Sequence, residues 1–106
     1  MSAEPEPTRR TESWYIDKLN SCGVPKRMHG GYIRYLLDGI LPGHFLRAVL
    51  SNDLKEACGR GDEENQRLLA RHVFFLYNHC PGNSWGSLEA VERWIDAHAP
   101  KEKETA

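Results

Sequence analysis

Two short stretches carry side chains whose types and spacing suit chemistry. The first is Lys26-Arg27-Met28-His29-Gly30-Gly31-Tyr32-Ile33-Arg34, three cations and a histidine around a glycine pair at a predicted helix start. Glycines at that position let a ligand approach the backbone, and the first amides of a helix have no partner within it. The helix dipole favours an anion there, and Arg34, one turn in, has the fork to hold a phosphate or carboxylate. The second stretch, Ser51-Asn52-Asp53, places three capping residue types where one suffices, with Arg60 and Asn65 further along. The surplus suits hydrogen bonds to ribose hydroxyls or a base edge. Each stretch also has a plain reading as helix punctuation, a tight glycine entry in one case and a simple cap in the other.

Other candidates are weaker. Trp85, in the loop Asn83-Ser84-Trp85-Gly86, is a stacking or docking residue together with Tyr32 and Tyr35, unless it folds back over the core. His72, His79 and Cys80 are zinc-ligand types. A helix, however, holds residues seven apart about 10 Å from each other along its axis, so no metal site is predicted. Nucleophilic catalysis needs a base beside its thiol or hydroxyl, and no spacing sets His29 or His44 beside Cys58. Glu63-Glu64 reads as charge at a helix start. No catalytic residue, no enzyme and no cofactor is expected.

These groups sit in a chain of 106 residues, the size of one domain, with 40% hydrophobic and 27% charged residues. Fourteen Lys+Arg against 15 Asp+Glu give a formal net charge of −1. No global field then draws the chain to nucleic acid or anionic lipid. The three cysteines, Cys22, Cys58 and Cys80, are odd in number and lack CxxC spacing, which predicts free thiols in a reducing compartment. No apolar run is long enough to cross a bilayer, and MSAEPEPTRRTES has no apolar centre of a signal peptide. The expected setting is cytoplasmic, without a membrane partner.

Helical periodicity accounts for almost all the apolar residues. Residues 1–10 read as a disordered arm, 11–99 as a helical domain and 100–106 as a charged tail. The first helix takes its cap from Thr11 or Ser13, buries Tyr15, Leu19 and Cys22, and stops at Gly23-Val24-Pro25. The second begins after Gly31 and places Ile33, Leu36, Leu37 and Ile40 on one face, ending at Pro42-Gly43. A third short helix carries Phe45, Leu46, Val49 and Leu50. The fourth, capped by Asp53, spans about Leu54 to Cys58 and is ended by Gly59 and Gly61. Asp62 caps the longest segment, expected as one central helix to Cys80, with Leu69, His72, Val73, Leu76 and Cys80 on a shared face and Leu68 and Phe75 beside it. Ser87 caps the last helix, with Leu88, Val91, Trp94 and Ile95 as its stripe. The predicted fold is all-α, a compact single-domain bundle of five to six short helices around Asp62–Cys80.

The segments HGGYIRYLLDGILPGHFLRAVLSNDLKEACGRGDEEN and FLYNHCPGNSWGSLEAVERWI resemble a group of small helical proteins encoded by tailed phages and prophages. In these an HGG-x-x-RY helix, a GI-x-PG-x-FL-x-AVL-x-NDL segment and a terminal WGS-x-E-x-V-x-x-WI helix recur, and the likeness spans residues 24–98. The resemblance implies a phage setting, where small non-enzymatic proteins block or sequester a host component.

Three functions compete at this point. The first is a phage-type, anti-defence binding protein that captures a small anionic, nucleotide-like ligand through Arg27, His29, Gly30, Gly31, Arg34, Ser51, Asn52 and Asp53. One small domain encloses little, so a site shared within a homo-oligomer is expected. The second is an inhibitor or adaptor that docks a host protein through Tyr32, Tyr35 and Trp85. The third, DNA binding by a helix-turn-helix at Tyr32–Leu50, ranks last, because HFLRAVL offers only His44 and Arg47 to base edges.

Overall fold

A computed structural model describes residues 10–99; residues 1–9 of the arm and the tail (residues 100–106) lie outside the described residues. Seven α-helices follow one another, with no strand among the described residues. They are α1 (Glu12–Cys22), α2 (His29–Asp38), α3 (His44–Leu50), α4 (Leu54–Arg60), α5 (Glu63–Arg67), α6 (Leu69–His79) and α7 (Leu88–Ala97). Short 3₁₀ turns at Lys26–Met28 and Gly82–Ser84 precede α2 and α7.

The caps form where residue type favours them. The side chains of Thr11, Asp53, Asp62 and Ser87 accept hydrogen bonds from the amides of Trp14, Glu56, Asn65 and Ala90, each satisfying one of the unpaired donors of a helix start. Gly23 closes α1 in the left-handed region (φ 82°). Gly39 closes α2 in the same way (φ 67°), so that helix ends at Asp38, before Pro42 is reached. Ile40 thereby leaves the apolar face and is exposed. The glycine of α4, Gly59, does not stop its helix, which runs on to Arg60.

The core gathers around Phe75, which is fully buried. Tyr32 meets it edge-on with ring centroids 5.1 Å apart, and Tyr15 does so at 6.4 Å. Leu19, Leu36, Leu46, Leu50, Leu76 and Val91 complete the interior. Arg10, assigned to the arm on sequence grounds, is tied down instead. Its guanidinium lies 4.5 Å from the Trp14 ring centroid and donates to the His79 carbonyl at 2.7 Å.

The segment Asp62–Cys80 is not one helix. It breaks at Leu68 (φ −104°, ψ 19°), which separates α5 from α6. The break accompanies a buried hydrogen bond from His72 Nε2 to Asn65 Oδ1, 3.0 Å long. A straight helix would hold those two residues about 10 Å apart along its axis. Turning the chain at Leu68 lets Asn65 fold onto the imidazole, and both side chains are buried.

Candidate functional site

The glycine-led start of α2 is organised differently from its sequence reading. The Lys26–Met28 turn runs directly into α2, and the amides of Met28 and His29 already donate to the carbonyls of Pro25 and Lys26. His29 is buried, its Nε2 2.9 Å from the Val24 carbonyl, so it ties the turn to the chain before it and is closed to a ligand. Arg27 turns away and pairs with Asp62 and Glu64. All three are about half exposed, so solvent screens the pairs and they add little to stability.

Gly30 and Gly31 have separate tasks. A Cβ on Gly31 would stand 2.8 Å from Leu46 Cδ1, so this glycine lets α3 pack closely against α2. A Cβ on Gly30 would stand 3.1 Å from the Arg34 guanidinium, which lies back over the bare first turn of α2. Arg34 is exposed and has no carboxylate partner among the described residues.

The cluster Ser51-Asn52-Asp53 likewise separates into parts. Asn52 takes the left-handed conformation (φ 63°), which Asn tolerates better than most side chains, and so turns the corner between α3 and α4. Asp53 caps α4. Ser51 remains: its Oγ is the one buried side-chain polar atom without a hydrogen-bond partner among the described residues.

The helices bring Arg34 and Ser51 to two adjoining open grooves. One, of about 400 Å³, lies between α2, the start of α3 and the α4–α5 corner, lined by Arg27, Gly31, Arg34, His44 and Arg60. The other, of about 510 Å³, is lined by His44, Arg47, Ser51, Asp53, Glu56 and Arg60, with Leu88 and Glu92 of α7 at its edge. His44 and Arg60 line both, so the two form one trough passing the outer face of α3. His44, Arg47 and Ser51 reach it because residues spaced by three and four share a helix face. Arg47 Nη2 sits 3.3 Å from His44 Nδ1 and has no carboxylate partner among the described residues. Of the carboxylates that line it, Asp53 is engaged in its cap, Glu56 with Arg60 Nε at 3.1 Å and Asp62 with Arg27, while Glu92 has no cationic partner among the described residues. The trough is thus lined by an imidazole and four guanidiniums, of which Arg34 and Arg47 have no carboxylate partner among the described residues.

His44, Arg47 and Arg60 are the residues that the two-stretch reading underweighted. The signal was present in the i, i+3, i+7 spacing of His44, Arg47 and Ser51.

Two of the three aromatic candidates, Tyr32 and Tyr35, are closed to a partner. Tyr32 is fully buried, and its hydroxyl donates to His72 Nδ1 at 2.7 Å. Asn65 Oδ1 receives the Nε2 proton of the same ring, which fixes the neutral tautomer with Nδ1 as acceptor. Burial lowers the His72 pKa to about 4, with the Arg27 charge acting in the same direction, and raises that of Tyr32 well above the usual phenol value. Tyr35, also fully buried, donates to the Ser84 carbonyl at 2.7 Å. That bond pins the loop carrying Trp85, and Trp85 packs half-buried against the core. Burial also pushes the thiols of Cys22 and Cys80 up. Among the described residues no three of His, Cys, Asp and Glu gather as a metal cage, and no helix is long and apolar enough to cross a membrane. No family model matches the chain, and no curated protein or solved structure does either.

Proposed function

We propose that this protein is a non-enzymatic binding protein that captures a small, multiply charged anion of nucleotide type in the trough beside α3. The observation that carries this reading is the convergence of Arg34, Arg47, Arg60 and His44 on adjoining grooves, with the unpartnered Ser51 hydroxyl at the wall. Guanidiniums suit phosphate oxygens because they donate two parallel hydrogen bonds. Ser51 lines the wall, but its Oγ is sealed from solvent, so the guanidiniums and His44 carry the contact. The likeness to phage-encoded proteins supports a role in sequestering such a molecule from a host defence pathway.

The test is a thermal-shift screen with mono-, di- and cyclic nucleotides and ADP-ribose derivatives. A ligand at a hundred times its Kd adds about 2.7 kcal/mol, which for a domain of this size is a shift of roughly 10 °C or more. The shift should shrink with added salt and disappear in Arg34→Ala and Arg60→Ala. A flat screen, or a shift indifferent to both substitutions, would remove the anion reading.

A second reading, docking of a host protein, has less support, because the two tyrosines expected to anchor it are enclosed. Tyr32 and Tyr35 are interior, whereas Phe74 and Tyr77 of α6 are exposed. Recognition of DNA by α3 has less support: Phe45, Leu46, Ala48, Val49 and Leu50 are buried, leaving few side chains to face a groove.

A further inference from the structure

Helix α6 is apolar on both sides. Its inner face, His72, Phe75 and Leu76, is buried in the core. At 100° per residue, Ala70, Phe74 and Tyr77 point directly away from that face, with Val73 and Asn78 to either side. Phe74 is 54% exposed, Tyr77 77% and Val73 42%. This outward strip holds no charged residue, the reverse of the polar outer face that a solvent-facing helix carries. Leu54, 68% exposed at the start of α4, continues it across a shallow groove that Val73 and Leu69 also line. Arg71 marks the opposite margin, its side chain lying over Gly23.

We infer that this face is a self-association surface, on which α6 of a second copy of the chain packs about a two-fold axis. The chain's own remaining segments are poor occupants. Residues 1–9 contain one large apolar side chain, Met1, and residues 100–106 contain none. A second copy offers a matching strip of the same composition. Being uncharged, the strip sets no like charges against each other across the axis, and Ala70 in its middle allows close approach of two helices.

The area is also of the right order. Taking about 200 Å² for a whole aromatic side chain, Phe74 and Tyr77 offer roughly 250 Å² between them. Leu54 and Val73 bring the apolar centre to roughly 400 Å² per copy, so two copies bury about 800 Å² before any polar rim is counted. Specific dimers bury about 1,200 Å² or more, so this apolar centre supplies about two thirds of that minimum and the polar rim must supply the rest. The face also adjoins the trough: Ala48 and Asp53 line both the α4–α6 groove and the groove holding Ser51. A second copy seated there stands at the trough's rim.

Sedimentation velocity across a concentration series tests this without any ligand, and so separately from the anion reading. The full-length protein should sediment with twice the 12.1 kDa chain mass at micromolar concentration. The double substitution Phe74→Ala, Tyr77→Ala should weaken association by roughly a hundredfold or more. It should leave the helical circular dichroism intact, because both side chains point away from the core and alanine is the best helix former. Ile40→Glu, on an exposed apolar residue elsewhere, should leave the dimer unchanged. A single-chain mass up to several hundred micromolar (the weak end of specific association) would overturn the inference, as would a dimer that survives the double substitution or one lost equally in Ile40→Glu.

Discussion

Acidification should destabilise this protein chiefly through one histidine. His72 is fully buried between Tyr32, which donates to its Nδ1, and Asn65, which accepts from its Nε2. A second proton would go to Nδ1 and displace the tyrosine donor inside the core. Its pKa is accordingly lowered to about 4, first by burial and then by the Arg27 charge. An unfolded chain binds that proton near pH 6.5 and the folded chain does not until about pH 4. Between those values the unfolded state holds more protons, so stability falls as pH falls; below about pH 4 this group takes away nothing more. From pH 7.5 to 4.5 the loss is about two units at 1.36 kcal/mol each, or about 2.5 kcal/mol. That corresponds to a drop in Tm of roughly 10 °C or more. Urea titrations at the two pH values, on wild type and on His72→Gln, measure it. His79, whose pKa is also lowered, acts in the same direction and cancels in the comparison. Equal losses in the two proteins would refute the reasoning. So would a wild-type imidazole that titrates near pH 6.5 by NMR.

Two further substitutions probe the joints that hold the helices in place. Gly39→Ala should lower stability by about 3 kcal/mol, combining a left-handed backbone with overpacking, because its new Cβ would overlap His98 Cβ. Thermal denaturation reads this as the largest loss of any glycine-to-alanine change in the chain. Ser87→Ala should cost about 1 kcal/mol, since its hydroxyl caps α7 through the Ala90 amide. It should shift the urea midpoint without changing the slope.

What could be read from the chain, and what could not, follows from the range of the interactions involved. Capping is local: Thr11, Asp53, Asp62 and Ser87 each bond an amide three residues ahead, and all four caps are legible in sequence. The all-α fold and the burial of Tyr15, Leu19 and Cys22 follow from periodicity alone. The Leu68 break is not local, since its buried counterpart is a side-chain bond between Asn65 and His72 that no propensity records. The interior position of the two tyrosines is still less visible. Their hydroxyl partners are His72 and the Ser84 carbonyl, 40 and 49 residues along the chain. A tyrosine beside an apolar stripe can be buried only if its hydroxyl finds such a partner. The sequence presents the stripe but does not identify the partner.

The same distinction separates Gly30 from Gly31. In sequence the pair suggests one function, a backbone bared for a ligand. In the fold Gly31 answers to Leu46, fifteen residues away, whose terminal methyl would have to give way to any side chain there. Gly30 faces outward and meets only the guanidinium of Arg34, on its own helix. The first glycine therefore governs where an arginine rests, and the second governs where a helix rests. Since α3 carries His44, Arg47 and Ser51, Gly31 also sets the position of the trough's far wall relative to Arg34. At the head of α2 the amides of Met28 and His29 are already turned to the 3₁₀ entry, and the glycine pair sets where Arg34 and α3 lie.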